Sequence, residues 1–182
     1  MSTVTEDALR DAMQRWVFLE DPAPEAAMRW IATFLEAYGA SIDSVDEAFK
    51  LVGELRAESC VITALELERL RTRTVLFFLD SVGQYIDHQE ELRGLPLDHD
   101  LAAIGEAFGL SKQDALTSVR LALTGERTGA PLELLFPLLG HDRMLIRIGA
   151  VNSRLLHGRG LEPLAYGPDG KPFEPIQGQK PE

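Results

Sequence analysis

At 182 residues, with 45% hydrophobic and 26% charged side chains, the chain is suited to one globular domain or one domain with a tail. It has no run of about 18 apolar residues, and its start, with Glu6, Asp7, Arg10 and Asp11, lacks the basic-then-apolar layout of a signal peptide, so a cytoplasmic protein away from membranes is expected. A net charge of -11 excludes a generic phosphate-backbone binder, and DNA is not an expected partner.

Helical periodicity begins at about Glu6, where Leu9, Met13, Trp16 and Phe18 or Leu19 approximate one apolar face. Asp21-Pro22-Ala23-Pro24 breaks it, and Pro24 suits the first turn of a second helix through Met28, Ile31, Phe34, Leu35 and Tyr38, stopped by Gly39. Ser44-Val45-Asp46-Glu47 has the form of a capping box and starts a third helix, with Val45, Ala48, Phe49, Val52 and Leu55 in step. From Thr63 to Glu91 neither proline nor a turn cluster intervenes, which predicts one long helix bent at Gly83. The run Val75 to Leu79 is apolar on all sides and also fits a short buried strand, but its length and flanks favour a central helix. Arg69 and Arg73 are expected on a solvated face beside Glu66 and Glu68.

Gly94-Leu95-Pro96 ends that element. Asp98 or Asp100 is expected to cap a short helix through Phe108, and Ser111 and Asp114 to cap the next, which ends at Thr124-Gly125. Pro131 opens a helix reaching Leu139-Gly140, and Asp142 is expected to cap a last one to about Leu156. Gly125 and Gly140 are expected to take the left-handed conformation open to glycine. The reading is thus an all-α helical domain over residues 1–157. Residues 158–182, with five glycines and five prolines, form an irregular tail whose Leu161, Leu164, Tyr166, Phe173 and Ile176 either lie against the bundle or stay free.

Chemistry-bearing residues are sparse. Cys60 is the only cysteine, which excludes an internal disulfide and a cysteine-based zinc site, and its apolar neighbours Val61 and Ile62 suggest an inert thiol. His88, His99, His141 and His157 have no metal-ligand spacing. Asp98-His99-Asp100 suits capping better than acid-base work. No phosphate loop, dinucleotide fingerprint or nucleophile elbow occurs. No catalytic residue, metal or cofactor is therefore assigned. The charge is uneven: residues 1–99 hold 9 basic and 19 acidic side chains, whereas residues 110–160 hold 7 basic and 4 acidic ones, which places any nucleic-acid surface in the C-terminal half.

From Leu101 to about Arg154 a series of motifs runs in order: a helix ending at Gly109, Arg120-Leu121-Ala122-Leu123-Thr124-Gly125, Thr128-Gly129-Ala130-Pro131, Leu138-Leu139-Gly140, and Arg147-Ile148. This series resembles the end of bacterial glutamyl-tRNA synthetases, best over residues 98–156. The synthetase catalytic motifs of the His-x-Gly-His and Lys-x-Ser-Lys types are missing, so the chain is expected to be a freestanding relative of the anticodon-binding region and not an enzyme. The resemblance implies a helical cage and makes tRNA the leading partner, glutamate tRNA first, with modest affinity for want of a tethered catalytic half. Candidate RNA contacts are Arg120, Arg127, Arg143, Arg147, Arg154 and Arg159, with Arg120 also readable as structural and Arg143 and Arg147 expected on the exposed side of the last helix start. A continuous arginine-lined groove would favour RNA. Arginines paired with Glu126, Glu133 and Asp142 would favour the alternative, a protein-interaction or regulatory module, and a small-molecule pocket between helices is a third reading.

Overall fold

A computed structural model describes residues 4–15 and 19–157, and all the regular structure among them is helical. The helices are α1 (Glu6–Arg15), α2 (Glu25–Tyr38) continuing into a 3-10 turn (Gly39–Ser41), α3 (Val45–Arg56), α4 (Ala64–Arg69), α5 (Arg73–Asp87), α6 (Leu97–Ala107), α7 (Lys112–Thr124), α8 (Leu132–Leu139) and α9 (His141–His157). Trp16, Phe18 and the tail lie outside the described residues.

Local signals place most of the helix starts. Thr5 Oγ1 accepts from the Ala8 N–H at the head of α1 (3.2 Å), and Ser44 Oγ from Glu47 at the head of α3 (3.2 Å). Glu47 reaches back to the Asp43 N–H (3.0 Å), one residue beyond the N-cap N–H of the expected box. Ser111 caps α7 through Asp114 as expected (3.1 Å). Two expected caps are corrected: Pro96, not Asp98 or Asp100, occupies the N-cap of α6, and α9 starts at His141, leaving all three aspartates in first turns, where the helix dipole favours negative charge.

The single long helix expected from Thr63 to Glu91 is broken at Leu70–Thr72. The chain tightens there through Leu70 N–H to Leu67 O (3.1 Å) and Arg71 N–H to Glu68 O (3.1 Å). Thr72 Oγ1 then accepts from Val75 N–H (3.1 Å) and starts α5 afresh. Val75 to Leu79 is helical, as expected.

α5 is the central helix, burying Val75, Leu76, Phe78, Leu79, Val82, Gly83 and Ile86 among α6, α7 and α9. α6 and α7 meet so closely that a Cβ on Gly105 would lie 2.6 Å from the Ala115 Cβ. α1, α2 and α3 form a second group joined to the first through α8. Phe34 and Phe136 are fully buried, each contributing roughly 1.5–3 kcal/mol by removal from water. Trp30 stacks on Phe34 at 5.5 Å and donates its indole N–H to the Leu138 carbonyl (2.9 Å), tying α2 to α8. No described helix is long and apolar enough to cross a membrane.

Candidate nucleic-acid interface

Every α-helix ends with four carbonyls that have no partner inside the helix, and three such ends, those of α3, α7 and α8, converge beneath α9. Arg147, 2% exposed, donates to Leu123 O (2.6 Å) at the end of α7. It also donates to Glu54 O (2.8 Å), Leu55 O (3.3 Å) and Ala57 O (2.7 Å) at the end of α3. One turn earlier, Arg143 donates to Arg56 O (2.9 Å) and to Leu139 O at the end of α8 (3.1 Å). Two cations thus sit where the partial negative ends of three helices meet, which is their electrostatically favoured place. Burial lowers the Arg147 pKa from its ordinary value, with the neighbouring Arg143 charge adding to the effect. The expectation that Arg143 and Arg147 face solvent is corrected: one is buried, the other half-buried, and both are held by backbone carbonyls rather than by Glu126, Glu133 or Asp142.

Above this junction lies a cleft of about 700 Å³ between the last turns of α3, the segment Ser59–Val61, the end of α7 and the loop Glu126–Ala130. Lys50, Arg120 and Arg147 supply its positive charge, Glu54 and Glu126 its negative charge, and Tyr38 an aromatic wall. Arg120 is half-buried and donates to the Ala130 carbonyl, which shapes the loop. Its pKa is lowered by burial, against the pull of Tyr38 and Glu133. Burial raises the Tyr38 pKa, so its phenol stays neutral beside these cations.

Gly125 closes α7 at φ +76° in the left-handed region, as expected, and a Cβ there would stand 2.0 Å from the Val61 carbonyl, so the segment lining the cleft crosses directly over it. Gly140 also has the positive φ of +76°, but its ψ of 165° lies outside the left-handed helical well. Cys60 is partly buried, its thiol donating to Ala122 O (3.6 Å), and burial pushes its pKa up.

The other candidates separate. Arg127 is exposed on the loop, with Nε 4.0 Å from Glu66 Oε2. Arg154 is partly exposed on α9, its charge felt at Cys60. Arg159 lies outside the described residues. Arg69 pairs with Glu66 (2.7 Å) as expected, whereas Arg73 sits over the Phe77 ring at 5.9 Å. Sequence reasoning missed Lys50 and Tyr38, since no local pattern signals that the tertiary fold brings them to one cleft with Arg120. Among the described residues no group of three His, Cys, Asp or Glu is placed to hold a metal. Asp100 instead accepts from the Tyr85 hydroxyl (2.7 Å) and lies 3.0 Å from His99 Nδ1, joining α5 to α6.

The family model of the anticodon binding domain matches residues 8–151. The chain belongs to the anticodon-binding-domain family. The match extends well upstream of the motif series at 101–154, back into α1, so α1–α3 and the cleft they help to form are part of the anticodon-binding domain. This domain type is the C-terminal one of glutamyl- and glutaminyl-tRNA synthetases, and it points to tRNA as the partner class. No curated protein matches the chain.

Proposed function

We propose that the chain is a tRNA-interacting accessory factor in translation, with glutamate tRNA the first candidate, and that the α3–α7 cleft receives unstacked bases of the anticodon loop. The observation that carries this reading is an aromatic-walled cleft that brings Lys50 and Arg120 together in a chain of net charge -11 whose family is defined by anticodon binding. Single-stranded RNA is read by splaying bases out, stacking them on aromatic rings or guanidinium planes and bonding their edges, and Tyr38, Arg120 and the Thr128 hydroxyl offer those groups. Lys50 and Arg127 are exposed at the cleft and its loop, suited to phosphates.

The test is fluorescence anisotropy at low salt with glutamate tRNA, a second tRNA and duplex DNA. Selective binding to glutamate tRNA is expected. Lys50→Glu and Arg127→Glu should each weaken it and reduce the salt slope by about one. Equal or absent binding to all three nucleic acids overturns the proposal. That result would favour the alternative, a protein-interaction or regulatory module that kept the fold. The alternative draws support from Arg143 and Arg147, which are held by backbone carbonyls and lend the surface little charge.

A further inference from the structure

α5 and α9 run antiparallel. His141 at the start of α9 meets the Gln89 carbonyl beyond the end of α5 (2.6 Å), and midway a Cβ on Gly83 would lie 3.9 Å from both Leu145 and Ile148. A groove of about 350 Å³ lies along this seam. On α9 it is lined by Leu145, Gly149 and Asn152, a stripe spaced by three and four residues, half a turn around the helix from Arg143 and Arg147. The groove therefore faces away from the cleft.

Three features mark the groove. Gly149 is an exposed position in the middle of α9 where alanine is worth up to about 1 kcal/mol more, yet a Cβ there would meet nothing within 4 Å. Asn152 Oδ1 at its wall is buried without a hydrogen-bond partner among the described residues. Phe77 and Leu156 continue the two stripes at the same end of the groove and are 49% and 61% exposed. Asp80 and Asp87, both exposed, form the acidic lip.

We infer that the α5–α9 groove docks an amphipathic basic helix of a partner protein, with its lysines or arginines against Asp80 and Asp87 and its apolar face on Phe77 and Leu156. The glycine floor lets a third helix approach a seam between two others, where helices ordinarily sit 8–10 Å apart. Charge complementarity selects a basic partner over an acidic one.

The test uses the full chain and a labelled synthetic helix of roughly 15 residues, the length of α5, with leucines at helical spacing and arginines beside them. A scrambled peptide of the same composition and an acidic analogue serve as controls. Tight binding of the basic amphipathic peptide alone is expected, weakened about tenfold or more by Asp80→Lys with Asp87→Lys and by Phe77→Ser. Gly149→Leu should block the peptide to the same degree while leaving the melting temperature unchanged or higher, which separates docking from folding. tRNA binding should be the same in all these variants, so the proposed cleft and this groove stand or fall separately. Equal binding of the scrambled peptide, or undiminished binding to the Gly149→Leu variant, would place the peptide on the general acidic surface and overturn the inference. A concentration-dependent dimer in sedimentation, dissolved by Phe77→Ser, would show the groove to be a self-interface and overturn it equally.

Discussion

Arg147→Met keeps the apolar stem and removes the guanidinium from beneath two helix ends. Of the four carbonyls it serves, the Leu55 and Leu123 bonds are fully buried, and those of Glu54 and Ala57 are partly so. An orphaned buried acceptor costs about 1–3 kcal/mol, so the two buried carbonyls alone imply roughly 2–6 kcal/mol. Relief of the desolvated cation and entry of water from the cleft offset part of this, leaving a net loss of about 3–5 kcal/mol, the range for removing one member of a buried charged pair. Against a domain stability of roughly 5–15 kcal/mol that is a large fraction. Urea melts followed by circular dichroism at 222 nm should show a lower midpoint with an unchanged slope. Arg147→Lys should recover only part of the loss, because an ammonium is a point donor without the fork that spans both helix ends. Arg127→Met, on the exposed loop, should stay within about 0.5 kcal/mol of the parent. If Arg147→Met also stays within that margin, the guanidinium does not hold the helix ends together and the account of the junction is wrong.

Gly125→Val meets both a left-handed backbone and a carbonyl 2.0 Å away, whereas Gly140→Val meets only its φ of +76° in open space. Thermal melts should therefore place the first about 3 kcal/mol or more below the parent and the second about 1–3 kcal/mol below, and the reverse order would refute the crossing at Val61. The Tyr85 phenol is pushed up to about 12 by burial, by its hydrogen bond to Asp100 and by that residue's charge. Since its protonated form is the one favoured in the fold, its contribution is complete below the ordinary value near 10 and lost as pH rises toward about 12. Tyr85→Phe should flatten stability across that window in alkaline urea melts. Cys60, raised by burial, should react with a disulfide reagent at pH 8 more slowly in the folded chain than in urea.

Helix existence was legible because it rests on local rules: the capping serines at 44 and 111, the glycine at 125 and the apolar period each act within a few residues of themselves. The break at Leu70–Thr72 was not, since Thr72 has no glutamate or glutamine three residues on to complete a box, and the apolar pattern carries through the gap. The cleft was half legible. Arg120 stands in the motif series and Arg127 between two of its motifs, but Lys50 and Tyr38 come from helices far away in the chain. The arginine pattern misled for a related reason. Arg143 and Arg147 at a spacing of four look like an exposed basic stripe, and only the convergence of three helix ends beneath them turns that stripe inward.

That convergence has a temporal side. The carbonyls at Glu54, Leu55 and Ala57 are capped by a side chain about 90 residues downstream, and Trp30 waits 108 residues for Leu138. At ribosomal rates of about 5–20 residues per second, the end of α3 stays uncapped for roughly 5–20 s after it is made. The nascent chain therefore passes through most of its synthesis without the last two helices that close it. The domain completes itself only once α9 has cleared the exit tunnel, and a product stalled before residue 147 leaves the ends of α3 and α7 without their shared cap.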